Sequence, residues 1–470
     1  MLNTLNTYQL NFRVSKKVKK LIERVTMMEK PFIFMFKQNG KNYLYDVNRH
    51  KILSISSEEY NQLEDFDGND INHTSYISQL INNGFLQPSK IQEIRHPMTN
   101  YVSNYLNNKI AKVTLQVTQN CNFRCGYCTY SGNYNNRSHS NQVMSVNIAH
   151  KAIDFLFKHS FESKQINIGF YGGEPLLEFD LIKNCVEYAE KQSTGKSLSF
   201  SLTTNGSLIN YQIIEYLKKH DIAISISIDG PKEIHNKNRK FINGCGSFEK
   251  VHENIRFIRN TFPDYYKNKV NFLMVLDPQS NMTCLNKFCT SELFDDVLMD
   301  ASFINNLYKK NRIYYNEKFS IQWEYEKFKF YLYKLGRLKE VHVSKLLRTD
   351  FQELNNIFKE FQKDVPDIPE VVHHGGPCIP GQLRLFINTI GDFFPCERVS
   401  EISQCMKIGH VDYGFDFDKV KMLLNIGKLS EQACKKCFAI RLCRICGAYA
   451  DDITKLSDDL KSIACTSCYS

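Results

Sequence analysis

The chain has 470 residues, enough for about three domains, and an ordinary globular composition. Hydrophobic residues make up 42% and charged residues 23%, which argues against a mostly disordered protein. There is no run of about 18 apolar residues, and the first residues lack the apolar core and cleavage site of a secretory signal. We therefore expect neither a membrane span nor export, and the net charge of +10 permits an acidic partner without requiring one.

The 16 cysteines are the unusual feature of the composition. In a chain without an export signal, disulfides explain them poorly, because cytosolic reductants keep thiols reduced. Clustered cysteines in such a chain more often bind metal. The sequence thus predicts a cytoplasmic protein whose cysteine clusters hold metal.

The front of the chain divides into a basic segment and a small mixed module. Residues 1–30 are rich in Lys and Arg, which is typical of a solvated helix or arm. In residues 31–100, Asn39-Gly40 between apolar runs predicts a hairpin, and Ser56-Ser57 before two glutamates resembles a helix N-terminus. Three strands and two helices in so short a stretch predict a winged-helix-like module.

The rest of the chain is predicted to contain an alternating region, a helical bridge and a cysteine-rich tail. Strands are expected at 112–117, 165–170, 198–202, 222–228 and 270–276, with amphipathic helices between them. Such alternation over residues 108–300 implies a parallel sheet with helices outside, either open or closed into a barrel. Residues 301–370 predict a helical bridging region, and residues 371–470 predict a separate cysteine-ligated module.

Three cysteines, Cys121, Cys125 and Cys128, follow the first strand of the alternating region with spacings of x3 and x2. A [4Fe–4S] cube usually takes four thiolates, so three close ones leave a corner open for a substrate or cosubstrate. In an α/β barrel the loop after a strand lies on the carboxyl-terminal face, where active sites lie. A zinc site is the alternative, but zinc ribbons favour paired C-x2-C elements, and no fourth Cys or His completes this loop.

With Tyr127 before the third cysteine, this loop resembles the signature of the radical SAM family, C-x3-C-x-aromatic-C. Further motifs resemble family elements in order: Gly172-Gly173-Glu174-Pro175, Thr203-Thr204-Asn205-Gly206, and Ser225 to Pro231 with His235 and Arg239 beyond. The resemblance implies a partial (β/α)6 TIM-like barrel in which Cys121, Cys125 and Cys128 are catalytic and hold a [4Fe–4S] cluster. It also implies S-adenosylmethionine (SAM) contacts from Gly172, Gly173, Glu174, Pro175, Thr204, Asn205, Ser227, Asp229 and Arg239. The two glycines are expected to let backbone carbonyls approach the bound cation.

The tail carries a second cysteine set that resembles the SPASM domain, which holds two auxiliary [4Fe–4S] clusters beside a radical SAM barrel. By resemblance, Cys378, Cys396 and Cys446 hold the inner cluster, and Cys434, Cys437, Cys443 and either Cys465 or Cys468 hold the outer one. The spacing departs from the family at Cys443-x2-Cys446, where x3 is usual. The inner cluster then has an open corner that can bind a substrate thiolate, unless Cys405 or the spare tail cysteine closes it. Zinc is again the alternative for the paired C-x2-C elements.

The front module resembles the winged-helix element that clamps the leader of a ribosomally made peptide by strand addition. A DNA-binding winged helix and an unrelated structural cap are the alternatives. The helix at Ser75–Asn83 carries no Arg or Lys for phosphates, so nucleic acid is not an expected partner.

Taken together, the chain resembles a radical SAM/SPASM peptide maturase of the thioether-forming type for cysteine-rich peptides. The implied cofactors are three [4Fe–4S] clusters and SAM, whose reductive cleavage yields a 5′-deoxyadenosyl radical. The implied partners are a precursor peptide with its leader and an electron donor such as flavodoxin or ferredoxin. Three alternatives remain: formylglycine formation of the anaerobic sulfatase-maturing type, carbon–carbon crosslinking or epimerisation, and a non-enzymatic zinc or iron–sulfur scaffold.

Overall fold

The computed structural model describes residues 30–64, 75–135, 137–193, 195–311, 313–363, 365–375 and 378–467. The chain forms two compact units. The first comprises the described residues up to Ile94 with Glu360–His374 and Glu431–Cys443, and the second comprises Arg95–Lys359, Gly375–Ser430 and the described residues from Arg444. Nearly all of the predicted basic segment, and Cys468, lie outside the described residues.

The first unit begins with an antiparallel meander of strands β1 (Ile33–Gln38), β2 (Lys41–Asp46) and β3 (Lys51–Ile55). The predicted hairpin is confirmed: Asn39 and Gly40 join β1 to β2 with φ values of 50° and 72°, as a two-residue turn of the type favoured by Asn-Gly requires. Helices α1 (Ser57–Glu64) and α2 (Ser75–Asn82) follow. A reciprocal capping box opens α1, because the Ser56 hydroxyl accepts from Glu59 N at 3.1 Å and the Glu59 carboxylate accepts from Ser56 N at 2.6 Å.

Segments distant in sequence complete the first unit. Strand β4 (Glu93–Ile94) pairs in parallel with β11 (Val371–Val372), and Ile94 N donates to Glu431 at the start of helix α14 (Glu431–Lys435). Phe34 stacks on Phe438 with ring centroids 3.9 Å apart. The compact unit therefore does not follow the boundaries expected at residues 100, 301 and 371, and its assignment as a peptide-recognition winged helix stays a prediction.

The second unit is built on a ten-stranded sheet of order β10-β9-β8-β7-β6-β5-β12-β13-β14-β15. Neighbouring strands from β5 to β10 are all parallel, β12 adds in parallel to β5, and β13 to β15 continue antiparallel. The strands are β5 (Lys112–Thr118), β6 (Gln165–Gly172), β7 (Ser197–Thr204), β8 (Ala223–Ser227), β9 (Val270–Leu276), β10 (Leu298–Phe303), β12 (Leu385–Ile387), β13 (Asp392–Phe394), β14 (Gly409–His410) and β15 (Gly414–Phe415).

Amphipathic helices cover this sheet and bury Ala, Ile, Leu and Val side chains against it. The helices of the second unit are α3 (Val102–Asn108), α4 (Val146–Lys158), α5 (Phe179–Gln192), α6 (Tyr211–Lys219), α7 (Lys232–Asn238), α8 (Phe248–Thr261), α9 (Pro263–Lys269), α10 (Met282–Cys289), α11 (Glu317–Lys334), α13 (Phe417–Leu424) and α15 (Asp458–Ser467). The apolar stripe is clearest in α4 and α5, whereas α11 buries the aromatic side chains of Phe319, Trp323 and Phe330. Helix α12 (Arg348–Gln362) crosses from the second unit into the first. Within the described part of the chain, no helix has the length and apolar character needed to cross a bilayer.

The sequence missed strand β10. Its residues include Asp300 and Ala301, types that are depleted in strands, and lack the apolar run of the other strands. The strand also crosses the boundary expected at residue 300, so the parallel sheet extends into the region expected to be a helical bridge.

Candidate active site

A cavity of about 750 Å³ in the second unit is lined by residues of all six parallel strands β5 to β10. Since every strand contributes, the sheet curves around this space. Cys121, Cys125 and Cys128 line the cavity as well, on the loop that leaves the carboxyl end of β5. The first cysteine cluster and the strand-end motifs of the sequence therefore face one common space.

The cysteine loop buries its thiols. Cys121 and Cys125 are each 8% exposed. Burial raises the pKa of both thiols to about 12, because a weakly polar environment disfavours the charged thiolate. Backbone N–H groups of Phe123 and Tyr130 lie 3.4 Å from the sulfurs of Cys121 and Cys128. Two buried thiols and the half-buried thiol of Cys128, with backbone donors to two of the sulfurs, fit a metal–sulfur cluster, whose positive charge offsets the thiolates.

Residues after helix α7 hold the cysteine loop in place. Arg124 N donates to the carbonyl of Lys240 at 2.7 Å, and Gly126 N donates to that of Asn238 at 3.0 Å. The rings of Phe123 and Phe241 meet edge to face with centroids 4.9 Å apart. These contacts fix the loop at both sides of Cys125.

Gly172 and Gly173 pack directly against the backbone that precedes Cys121. A Cβ on Gly172 would lie 2.1 Å from the Thr118 carbonyl oxygen, and one on Gly173 would lie 2.0 Å from that of Asn120. This close approach lets Gly173 N and Glu174 N donate to the same two carbonyls, each at 2.8 Å. The glycines thus have a steric role in joining β6 to the cysteine loop, beyond the role expected for them beside a bound cation.

Glu174 joins the ends of β6 and β7 from behind the cavity wall. Its carboxylate accepts from the Thr204 hydroxyl at 2.7 Å, Asn205 N at 2.7 Å and Leu176 N at 3.1 Å. Burial raises the pKa of Glu174, and these hydrogen bonds oppose that shift. Asn205 in turn donates to the Asn122 side chain at 2.8 Å, so Glu174 orients an amide that contacts the cysteine loop.

Asp229 forms a second buried anchor. It accepts from Arg239 Nε at 3.0 Å, Val275 N at 3.1 Å and the Tyr127 hydroxyl. The Arg239 guanidinium lies 5.5 Å from the centre of the Tyr127 ring. The motif aromatic of the cysteine loop is therefore tied to the end of β8.

His235 supports this anchor rather than facing the cavity. It is fully buried, and burial lowers its pKa to about 3, so the ring is neutral. Its Nδ1 accepts from Asp229 N at 3.3 Å, and its other nitrogen lies 3.0 Å from the Ser247 hydroxyl.

The residues expected around SAM fall into two groups. Those that line the cavity are Gly172, Gly173, Thr204, Asn205, Ser227 and Arg239, whereas Glu174, Pro175 and Asp229 lie behind it.

The tail cysteines divide between the two units. Cys378, Cys396 and Cys446 belong to the second unit. Burial raises the pKa of Cys396 to about 11, and the negative charges of the Cys378 and Cys446 thiolates add to this shift. Burial and the charge of Cys446 also raise the pKa of Cys378. Cys405 is buried elsewhere, beside Asp451 and Asp452. In the first unit Cys434, Cys437 and Cys443 lie in and after α14, while Cys465 lies on α15 of the second unit.

Within the second unit, an ion pair that the sequence did not reveal links the loop after Cys128 to the tail of the chain. Arg137 Nε lies 2.6 Å from Glu401, and their side chains are 3% and 6% exposed. Arg137 also donates to the carbonyls of Glu397 and Val399 at 2.8 and 3.0 Å, and Glu401 accepts from Gln116 at 2.9 Å. The loop after Cys128 is thereby joined to the segment after Cys396.

Charged side chains also line the cavity away from the cysteine loop. Arg384 and Glu397 form an ion pair of 3.0 Å, and Lys112, Asp300 and Arg398 contribute further charges. No sequence motif identified them, because they come from strands and loops that meet only in the folded chain. Among the described residues, no three Cys, His, Asp or Glu side chains are arranged to hold a single metal ion.

Comparison with known proteins supports the family resemblance that the cysteine loop and the surrounding strands carry. Residues 115–288 match the family model of the Radical SAM superfamily. This stretch of the chain is a radical SAM domain. It contains the three cysteines and the three strand-end motifs that follow them, and it ends before β10.

Two curated relatives are similar to part of the chain. One is a cysteine-type anaerobic sulfatase-maturating enzyme of Clostridium novyi, 32% identical over 169 residues that cover 35% of this chain and 43% of the relative. The other is the radical SAM cyclopropyl synthase TigE of Paramaledivibacter caminithermalis, 27% identical over 256 residues that cover 49% of this chain and 53% of the relative. The chain therefore spans about half the length of these relatives.

The radical SAM domain and its flanks also resemble a solved structure. Native anSMEcpe with bound AdoMet superposes with a TM-score of 0.56 at 21% identity, covering 75% of this chain and 95% of that one. At this identity the likeness shows the fold. It extends beyond residues 115–288 and so includes parts of the chain that the family model does not match.

Proposed function

We propose that the protein is a radical SAM maturase that installs a sulfur-to-carbon thioether crosslink in a ribosomally made, cysteine-rich peptide. The main support is the grouping of Cys378, Cys396 and Cys446 in the unit that contains the cavity, with Cys405 among different neighbours. Three thiols are one fewer than a [4Fe–4S] cube usually takes. A cube held by them has a free iron that suits the thiolate of a substrate cysteine.

In this proposal the residues of the chain position the reacting groups and shield them from solvent. A reduced cluster held by Cys121, Cys125 and Cys128, with SAM, supplies a 5′-deoxyadenosyl radical that removes a hydrogen atom from carbon. Gly172, Asn205 and Arg239 line the cavity beside these cysteines and are proposed to hold SAM. Positioning both partners in one cavity turns an encounter in solution into a reaction between bound groups.

The overall change forms one carbon–sulfur bond and removes two hydrogens. One leaves the carbon as an atom, and the other leaves the thiol as a proton. The remaining electron needs an acceptor, and this is the role we propose for an auxiliary cluster on Cys378, Cys396 and Cys446. In the same proposal, the module predicted at residues 31–100 binds the leader of the precursor, and a flavodoxin or ferredoxin delivers the electron that starts each turnover.

Coexpression with a short cysteine-rich peptide encoded beside the gene tests this function. We expect the peptide to lose the mass of two hydrogens and one of its cysteines to resist alkylation. A Cys185→Ala variant is the matched control, because Cys185 is buried in α5 outside every cysteine set, and it should still give the product. Loss of two hydrogens with every cysteine still alkylated would instead indicate a carbon–carbon crosslink, and deuterium uptake without that loss would indicate epimerisation.

Formylglycine formation is the second candidate, and the position of Glu397 favours it. That reaction needs a carboxylate base near the substrate, which the sequence could not locate. Glu397 directly follows Cys396, lines the cavity and pairs with Arg384 at 3.0 Å. Incubation with a cysteine-containing sulfatase peptide decides between the two, because formylglycine is an aldehyde that reacts with hydrazines, whereas a thioether does not.

A further inference from the structure

Strands β5 and β7 place polar side chains on one level of the cavity, on either side of β6. Thr114 of β5 is paired with Gly169 of β6, and Gly169 is paired with Ser201 of β7. All three residues line the cavity. Lys112 lies two residues before Thr114, hence on the same face of β5, and lines it too. We call Lys112, Thr114, Gly169 and Ser201 the cavity floor.

Gly169 makes room for this group. A Cβ at Gly169 would lie 3.3 Å from Lys112 Cε, 3.3 Å from the Thr114 hydroxyl and 3.3 Å from the Ser201 hydroxyl. The ammonium of Lys112 lies 3.4 Å from the Ser201 hydroxyl. An ammonium and two hydroxyls thus surround a position where the middle strand has no side chain. The Ser201 hydroxyl donates to Asn167 at 3.0 Å and accepts from Lys112, so the Lys112 ammonium and the Thr114 hydroxyl are the groups that can donate to a ligand.

The charge around the floor is positive. Burial and the nearby Arg384 both lower the pKa of Lys112, while Glu397 opposes them. Glu397 is already paired with Arg384 at 3.0 Å. In the described part of the chain, no carboxylate lies within ion-pair distance of the Lys112 ammonium. The two charged groups that act on Lys112, Arg384 and Glu397, are paired with each other, so the Lys112 ammonium is the charge that a bound anion would neutralise.

The floor lies away from the strand ends. Thr114, Gly169 and Ser201 precede the ends of their strands at Thr118, Gly172 and Thr204 by three or four residues. At roughly 3.3 Å per residue, this is about 10 Å below the cysteine loop and the motifs proposed to hold SAM. A ligand on the floor is therefore in the same cavity as SAM but at a different depth.

We propose that Lys112 and Thr114 form a carboxylate-binding site in which Ser201 orients the Lys112 ammonium, and that the site holds the side chain of an aspartate or glutamate in the substrate peptide. The assignment of the carboxylate to a peptide rests on the proposed function. The carboxylate of SAM is the other source of the same chemistry. The site thus selects a peptide that has an acidic residue near the position of hydrogen abstraction.

Equilibrium dialysis with two probe peptides tests the site in the full, anaerobically reconstituted chain with SAM bound. The probes are acetyl-Gly-Asp-Gly-amide and acetyl-Gly-Asn-Gly-amide. We expect at least tenfold tighter binding of the aspartate probe, because a hydrogen bond to a charged carboxylate is stronger than one to a neutral amide. Lys112→Met should abolish this preference and Ser201→Ala should weaken it, whereas Lys164→Met, at an exposed lysine, should leave it unchanged.

The affinity for SAM, measured in the same variants, separates the two sources of carboxylate. The proposal expects it to stay within twofold of the wild type in Lys112→Met, a result that also shows that the variant is folded. Equal binding of both probes by the wild type overturns the proposal, as does a tenfold loss of SAM affinity in Lys112→Met with the aspartate preference retained. If no crosslink forms in the coexpression test but the preference depends on Lys112, the proposed function fails and the site stands.

Discussion

Gly172 and Gly173 bring β6 closer to the cysteine loop than any residue with a side chain would allow. The two backbone hydrogen bonds of 2.8 Å between these segments depend on that approach. The glycine pair could be found in the sequence as part of a motif. The reason for it could not, because the carbonyl groups it contacts belong to residues some fifty positions earlier in the chain, at Thr118 and Asn120.

Gly173→Ala should therefore displace the cysteine loop. The added Cβ would lie 2.0 Å from the Asn120 carbonyl oxygen, and neither backbone can move aside without breaking the hydrogen bonds that join them. We expect iron bound by the purified variant to fall by about four atoms per chain, and SAM cleavage to be lost.

Gly375→Ala is the matched control, because nothing lies within 4 Å of a Cβ at Gly375. It should keep its iron and its SAM cleavage. Full iron content and wild-type cleavage in Gly173→Ala would show that the close packing does not position the cluster site.

The site residues that the sequence predicted can be recognised from a short stretch of the chain, whereas those that it missed cannot. Cys121, Glu174, Asn205 and Asp229 stand in short motifs beside strands, so a single sequence suffices to propose them. Lys112, Arg137 and Glu401 carry no such pattern, because each acquires its partner only when strands and loops distant in sequence come together.

At the scale of elements, hydrophobic periodicity predicted the strands β5 to β9 and the helices between them. The expected amphipathic helices are present, for example Val146–Lys158 between β5 and β6 and Phe248–Thr261 between β8 and β9. Periodicity failed for β10, and for the short strands β11 to β15, which hold two or three residues each. So few residues contain no period to detect.

The Arg137–Glu401 pair should be a large contributor to the stability of the second unit. Arg137→Met leaves the Glu401 carboxylate buried without its cation, which costs about 3–5 kcal/mol. The exposed pair Lys151–Asp412, at 2.6 Å with side chains 44% and 53% exposed, should contribute only about 0–1 kcal/mol, so Lys151→Met is the control. Urea denaturation of the reconstituted protein measures both.

Adding Glu401→Gln to Arg137→Met should recover part of the lost stability, since no buried charge then remains unpaired. If the free energy of unfolding of Arg137→Met equals that of Lys151→Met, then Glu401 is not left as a buried, unpaired charge and this expectation is wrong.

At the scale of the whole molecule, the division into compact units was the least predictable property. The first unit draws on residues 360–374 and 431–443 as well as on the front of the chain. Its assembly depends on contacts such as Phe34 with Phe438, and the donation from Arg441 to the carbonyl of Val47 at 3.0 Å. Composition and local pattern carry no information on such pairings, so the expected boundaries followed changes in composition instead.

Iron content tests the proposed set of three clusters. We expect about 12 iron atoms per reconstituted chain, and about eight after Cys378, Cys396 and Cys446 are all replaced by alanine. Cys405→Ala should retain the full amount, because Cys405 has Asp451 and Asp452 as neighbours rather than these three cysteines. Equal iron in the wild type and the triple variant, or bound zinc in place of iron, would refute the assignment.

Reductive cleavage of SAM is the most direct measurement of the central claim, that Cys121, Cys125 and Cys128 hold the cluster that activates it. Anaerobically purified and reconstituted protein is given dithionite and SAM, and 5′-deoxyadenosine is quantified by chromatography. The wild type and Cys185→Ala should form it, and the variant with all three cysteines replaced by alanine should form none. Equal formation by that triple variant, or none by the wild type, would contradict the account.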